Sequence, residues 1–304
     1  MKYIIALGFL CASFSIKAQD SSSSKNTEVI YGRKDGMALT MLMQKPASPN
    51  GKAVVSVVSG NWRSGYDLMQ RFAEKDRLYL EAGYTVFNVI HSSQPKYSIP
   101  EIVEDVKRAV RYIRYNAKNY GINSNQIGIT GASSGGHVAL MVATTGDNGD
   151  KGSRDPVDNV SSGVQACAVF FPPTDFLNYG QNGFNASASQ VILRQTGLSA
   201  AFDFKRWNDT TRTYVSISDV DAKKEIARQM SPSNFVSPDD PPTIIIHGDA
   251  DRLVPLQQSE LIIKKFEEAK VANKLIVKSG AGHTWRNSEV DEKNFVSWFD
   301  QYLK

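Results

Sequence analysis

The run Gly131-Ala132-Ser133-Ser134-Gly135-Gly136-His137 constrains this chain more than any other stretch, because a serine stands between two glycines directly after a short β-branched run. Gln126-Ile127-Gly128-Ile129-Thr130 reads as a buried strand, and the apolar residues 138–143 read as a helix packed behind it. Ser133 then falls in the turn between them, which reads as a nucleophile elbow. Such a turn is so tight that the positions two before and two after the serine must lack side chains, a demand met by Gly131 and Gly135. It pushes Oγ into the open and aims the Ser134 amide and the helix N-terminus at the same point, where they can stabilise a developing oxyanion. Ser133 is therefore the candidate nucleophile.

The rest of the chain supplies a frame for that turn. Residues 28–31 and 38–44 read as short strands joined by Lys34-Asp35-Gly36, an antiparallel hairpin at the start. Strands follow at 53–58 and 84–90 with a helix over 66–82 between them, ending at Gly83. Pro100 suits the first turn of a long helix whose stripe is Ile102, Val106, Val110, Ile113 and Tyr115, ending near Tyr120-Gly121. Residues 164–171, 243–247 and 274–278 read as further strands, with a last helix over 290–302. Strands alternating with helices predict an α/β domain with a mostly parallel central sheet and helices on both faces. Residues 178–236 break the rhythm, being polar and rich in Asn, Ser and Asp. They read as a small cap inserted over the site, with helices near 187–197 and 220–230; an ordinary long crossover is the competing reading.

At the start, Lys2 precedes an apolar run from Tyr3 to Phe14, and Lys17-Ala18-Gln19-Asp20 leads into the Ser21 to Ser24 tract. This pattern predicts a secretory signal peptide over 1–18, hence export, with a domain over 19–304. The run is short of the ~20 apolar residues a bilayer span needs. Loss of residues 1–18 removes Lys2 and Lys17, leaving 33 of the 35 Lys+Arg against 31 Asp+Glu. So even a charge balance gives no footing for nucleic-acid binding. Two cysteines, of which Cys167 alone remains after cleavage, allow no intrachain disulfide in the domain, and no Cys/His spacing suggests a metal site. No cofactor is expected, and the oligomeric state is not legible.

A serine hydroxyl needs a base to take its proton and an acid to orient the base. Of four histidines, His283 in Gly280-Ala281-Gly282-His283 lies on a glycine-rich loop just past the last strand and is the candidate base. His247 ends an apolar strand and is expected to be buried and hydrogen-bonded. His137 starts the elbow helix and reads as a packing residue, while His91 follows a strand and could reach the pocket rim. Gly248-Asp249-Ala250-Asp251 offers two carboxylates on the loop after a strand.

His247-Gly248-x-x-Asp251-x-x-Val254-Pro255 resembles the acid loop of the α/β-hydrolase superfamily, in which the second carboxylate orients the histidine. The resemblance implies Asp251 as the acid, Asp249 as a turn residue, and the chain order Ser133, Asp251, His283 of that superfamily's triad. Val58-Ser59-Gly60-Asn61-Trp62 resembles the H-G-G-G-W oxyanion loop of the esterase and lipase branch, with Asn61 in place of the third glycine. Backbone amides survive such changes, so Gly60, Asn61 and Ser134 are the implied oxyanion donors and Trp62 a pocket wall. His91 and Trp285 are further candidate substrate contacts. The likeness runs over residues 27–304, including the Pro100 to Val106 helix start, and weakens in the insertion. The chain resembles exported bacterial carbohydrate esterases that remove acetyl or feruloyl groups. The implied function is a serine carboxylesterase acting on small-molecule or oligosaccharide esters. A prolyl-oligopeptidase-like peptidase and a non-catalytic carbohydrate-binding protein on the same scaffold are the alternatives.

Overall fold

The computed structural model describes residues 25–304, so the leader expected over 1–18 lies outside the described residues. Strands β1 (Lys25–Lys34) and β2 (Met37–Lys45) pair antiparallel through a turn in which Asp35 and Gly36 take φ of 49° and 80°. That left-handed pair matches the twist of the two strands, and Asp-Gly adopts it at little cost. Next come β3 (Ala53–Val58), α1 (Tyr66–Ala73), α2 (Arg77–Glu81) and β4 (Thr85–Ile90). The long helix α3 (Ile99–Tyr115) opens on a capping box made by Ser98 and Glu101, with Pro100 in its first turn, and is followed by the short α4 (Ala117–Tyr120). β5 (Ile127–Ala132), α5 (Ser134–Thr145) and β6 (Ala166–Phe170) form the middle of the fold.

A looser stretch then carries α6 (Gln190–Gln195), the hairpin β7 (Lys205–Asn208) and β8 (Thr213–Ser216), and α7 (Val220–Gln229). The chain closes with β9 (Thr243–Gly248), α8 (Gln257–Glu268), β10 (Asn273–Lys278) and α9 (Ser288–Tyr302). The strand order is β1-β2-β4-β3-β5-β6-β9-β10, parallel from β4 to β10 with the antiparallel hairpin at one edge. One face packs on α3, α5 and α8 through Ile102, Val106, Val138, Leu140, Ile262 and Phe266. The other packs on α2 and α9 through Tyr79, Phe295 and Phe299. This is the mostly parallel, two-sided sheet expected from the alternation of strands and helices, and the α/β-hydrolase fold that the resemblance of the loop motifs implies.

Two departures from the sequence reading bear on the site. The helix expected over 66–82 is two helices, because Asp76 turns into the interior where the Asn88 amide donates to its Oδ2 at 2.5 Å. Gln44 Nε2 donates to the Ala73 carbonyl at the break. The helix expected over 187–197 shrinks to α6 between single 3-10 turns at Ala186–Ala188 and Ser199–Phe202, and the β7–β8 hairpin has no counterpart in the sequence reading. Both hairpin strands are almost wholly exposed, so they carry no alternation of apolar and polar residues to read.

Candidate active site

Ser133 sits at the top of β5 with φ 54° and ψ −121°, a conformation that costs a non-glycine residue on the order of 1–3 kcal/mol and persists only where the surroundings impose it. The glycines make it possible. A Cβ on Gly131 would stand 2.4 Å from the Gly135 carbonyl oxygen, and one on Gly135 would stand 2.7 Å from the Val57 oxygen. The Ser133 amide donates to the Phe170 carbonyl of β6, which anchors the turn to the sheet.

His283 Nε2 lies 2.9 Å from Ser133 Oγ, and its Nδ1 lies 2.7 Å from Asp251 Oδ2. Burial pushes the Asp251 carboxyl up, but hydrogen bonds from His247, His283 and the Val254 amide outweigh it and hold the group well below the usual carboxylate range. An ionised carboxylate only accepts, so Nδ1 of His283 carries the proton and Nε2 presents a lone pair to the serine hydroxyl. Asp251 is oriented in turn: its Oδ1 accepts from the Leu253 and Val254 amides at 2.8 and 2.9 Å. His247 is buried beneath it. Its Nε2 faces the Val254 carbonyl at 2.9 Å and Asp251 Oδ2 at 3.2 Å, and its Nδ1 faces Ser259 Oγ. The carbonyl can only accept, which puts the His247 proton on Nε2.

The acid and base loops are locked together by backbone. Ala250 N donates to the Ala281 carbonyl, and Gly280 N donates to Asp249 Oδ1. A Cβ on Gly248 would meet the Ala281 oxygen at 2.2 Å, so only glycine lets the loops approach this closely. Asp249 thus ties the two loops together and leaves the histidine to Asp251.

The loop after β3 divides the expected oxyanion donors. Gly60 is a correction: its amide donates to the Arg63 carbonyl at 2.9 Å, and Arg63 N donates back, so this donor is already occupied. Asn61 and Trp62 both take left-handed backbone, φ 52° and 54°, which turns the loop over within two residues. The amides of Asn61 and Ser134 make no hydrogen bond to the described residues, and both residues line the space beside Ser133. His91 is the second correction. It is buried and lines neither cavity beside Ser133, its Nδ1 facing the Ser92 carbonyl, and burial lowers its pKa to about 4. Its neighbours hold the oxyanion loop instead: Gln94 N donates to the Trp62 carbonyl, and Ser64 N donates to Ser93 Oγ.

Trp62 is buried, edge-on to His137 and Phe202. Its Nε1 donates to His137 Nδ1 at 3.2 Å, while His137 Nε2 donates to the Met230 carbonyl at 2.7 Å. His137 therefore links the elbow helix, the oxyanion loop and the end of α7; burial lowers its pKa to about 4 and keeps it a neutral relay of contacts.

Two cavities meet at Ser133. The first, about 50 Å³, is apolar and walled by Trp62, Phe176, Leu193, Leu198 and Phe202, most of them from the segment between β6 and β9. The second, about 610 Å³, runs past His283, Phe171 and Trp285 and inward to Ser56, Asp76, Tyr79, Thr130 and Glu292. Trp285 is placed by its Nε1 donating to Asp291 and packs edge-on against Phe171. Sequence reasoning missed the inner wall. The signal was there: Ser56 and Asn88 are polar residues inside the apolar strands AVVSVV and TVFNVI. Among the described residues no group of three or more His, Cys, Asp or Glu is arranged to hold a metal ion, and no helix is long and apolar enough to cross a membrane.

Residues 39–266 match the BD-FAE family model. The chain belongs to the BD-FAE family. The esterase LipQ of Mycobacterium tuberculosis is 22% identical over 82% of this chain and 54% of its own length. An acetylxylan esterase of Xylanibacter ruminicola is 32% identical over 116 residues, 36% of this chain and 22% of that protein. The chain spans about half the length of the first curated relatives it matches. A truncated carbohydrate esterase from gut microbiota superposes with a TM-score of 0.71 at 24% identity, covering 93% of this chain and 99% of that one. The BD-FAE match begins in β2 and ends in α8, so it takes in the elbow, the oxyanion loop and Asp251 but stops short of His283.

Proposed function

We propose that this BD-FAE family member is a carboxylic ester hydrolase that removes short acyl groups from carbohydrates through a Ser133-His283-Asp251 triad. The observation that carries the reading is the unbroken hydrogen-bonded line from Ser133 Oγ through His283 to an ionised Asp251, beside two unpaired amides. In the first step Ser133 Oγ bonds to the ester carbonyl carbon and its proton passes to His283 Nε2. The oxyanion is held by the amides of Asn61 and Ser134. Collapse breaks the bond to the leaving oxygen, which takes the proton from His283 and departs as the alcohol. A water then loses its proton to the same nitrogen, attacks the acyl-serine and releases the acid, and Ser133 recovers its proton.

The two cavities assign the two halves of the ester. His283 must deliver a proton to the leaving alcohol, and it lines the large cavity and not the small one, so the alcohol occupies the large side. The acyl group occupies the small side. At about 50 Å³ that side holds a few waters' worth of space, which suits a short aliphatic acyl chain and not a feruloyl ring. On this reading residues 178–236 act as the cap that sets acyl length, and residues 1–18 direct export. The names of the acetylxylan esterase and carbohydrate esterase relatives support the choice of alcohol. A fluorophosphonate probe should label the wild type and not Ser133→Ala, and p-nitrophenyl acetate should be turned over by the wild type alone. Equal labelling of both proteins would sink the triad.

A further inference from the structure

The inner end of the large cavity has a composition that the chemistry at Ser133 does not require. Ser56, Asn88 and Thr130 are register partners on β3, β4 and β5, so they form a polar row across three central strands on the face covered by α2 and α9. An apolar row would pack better there, since neighbours on that face are Val54, Val86 and Ala168. Ser56 is only 4% exposed, lines the cavity, and its hydroxyl has no hydrogen-bond partner among the described residues. Asp76, also 4% exposed, receives the Asn88 amide on Oδ2 and leaves Oδ1 without a partner at the cavity wall. Glu292 of α9 faces the same space, close enough for its charge to act on Asp76. A buried hydroxyl and a buried carboxyl with open valences, set around a cavity continuous with the nucleophile, are the features of a polar binding site.

We infer that Ser56, Asp76 and Glu292 form a subsite that hydrogen-bonds the ring hydroxyls of the sugar carrying the ester, with Phe72 and Trp285 supplying apolar faces for the ring. This rests on the reading of Ser133 as an ester-cleaving nucleophile. Two features favour hydroxyls over other polar groups. Burial, helped for Asp76 by the nearby Glu292 charge, pushes both carboxyls up to about 7, so near neutrality each is partly protonated. A carboxyl that can donate as well as accept suits a hydroxyl, which does both. The cavity also has room for a sugar ring, whereas the acyl side does not.

The test compares two esters of one acyl group, an acetylated xyloside and p-nitrophenyl acetate, on the wild type, Ser56→Ala, Asp76→Asn and Glu292→Gln. The expected result is a fall of about tenfold in the ratio of kcat/KM for the acetylated xyloside to that for p-nitrophenyl acetate, expressed mainly in KM. Free xylose should also inhibit the wild type competitively and each variant more weakly. Glu292 is only half-buried, so its variant keeps the test alive if Asp76→Asn folds poorly. An unchanged ratio in all three variants, or a wild type that prefers a cationic amino ester to the sugar ester, overturns the subsite while leaving the triad standing. A wild type inert on p-nitrophenyl acetate would instead break the underlying reading of Ser133.

Discussion

The two cavities that meet at Ser133 are built from different kinds of structure. The small one is walled mainly by residues of the segment between β6 and β9, on short helical turns that owe little to the sheet. The large one is walled at its inner end by strand residues, Ser56 and Thr130, and by the helices packed on that face. The first is apolar and held by aromatic ring contacts among Trp62, Phe176 and Phe202; the second places open polar valences inside the core. Side chains on short loop-borne turns can change without disturbing the sheet, while a polar residue in a central strand must be compensated by its neighbours. On the proposed function, acyl preference is thus the adjustable half of the site and alcohol preference the half built into the fold.

The largest effect should strike both halves alike. Asp251→Asn removes the ionised acceptor that fixes the His283 tautomer, and kcat should fall about 10⁴-fold on every ester, with the geometry of both cavities kept. A loss confined to one class of alcohol would show that Asp251 acts on binding, and would break the comparison at its root. Leu193→Ala separates the halves: it enlarges the small cavity, so the preference for acetate over butyrate should fall about tenfold while the ranking of alcohols is kept. Leu193 is 2% exposed, and its loss should lower stability by about 2–4 kcal/mol, read by urea denaturation. If acyl ranking stays fixed, the small cavity does not receive the acyl chain.

A third effect is thermodynamic and concerns the large side alone. The folded pKa of Asp76, about 7, lies above its ordinary value of 3.8, so the folded state binds more protons than the unfolded one between those limits. Its contribution to stability is present at low pH and is lost as pH rises through 7. The neutral amide introduced by Asp76→Asn removes that loss, so the variant should gain on the wild type by up to about 3 kcal/mol between pH 5 and pH 8. His91 and His137 act in the opposite sense: their folded pKa values of about 4 make the protein lose stability as pH falls from 6.5 towards 4. Urea midpoints of wild type and Asp76→Asn at the two pH values decide the matter. A difference that stays constant with pH would mean that Asp76 is ionised throughout and that burial does not raise its pKa.

How much of this was legible follows from how local each constraint is. The elbow could be read because the steric demand acts within five residues, and the glycine contacts at Gly131 and Gly135 are that demand in atomic form. The last two parallel strands and both chemical loops followed from apolar runs ending in His247-Gly248 and Lys278-Ser279-Gly280. Gly60 could not be judged from its neighbours, since its amide is occupied by a carbonyl only three residues on that the loop's left-handed turn brings back. His91 lies just past β4 as expected, yet whether it faces the rim or the interior depends on how residues 91–94 fold against Trp62 and Ser64.

By itself the sequence determined the α/β alternation and the strained serine turn, because each depends on contacts between residues a few positions apart or on the period of buried residues; the choice of Asp251 over Asp249 came from the resemblance of its loop to the α/β-hydrolase acid loop. Only the tertiary structure decided which amides stay free beside Ser133, that His137 joins Trp62 to Met230, and that Ser56, Asp76 and Glu292 share one cavity. Those facts rest on strands, helices and loops far apart in the chain being packed to within a few ångströms, and no local pattern encodes that distance.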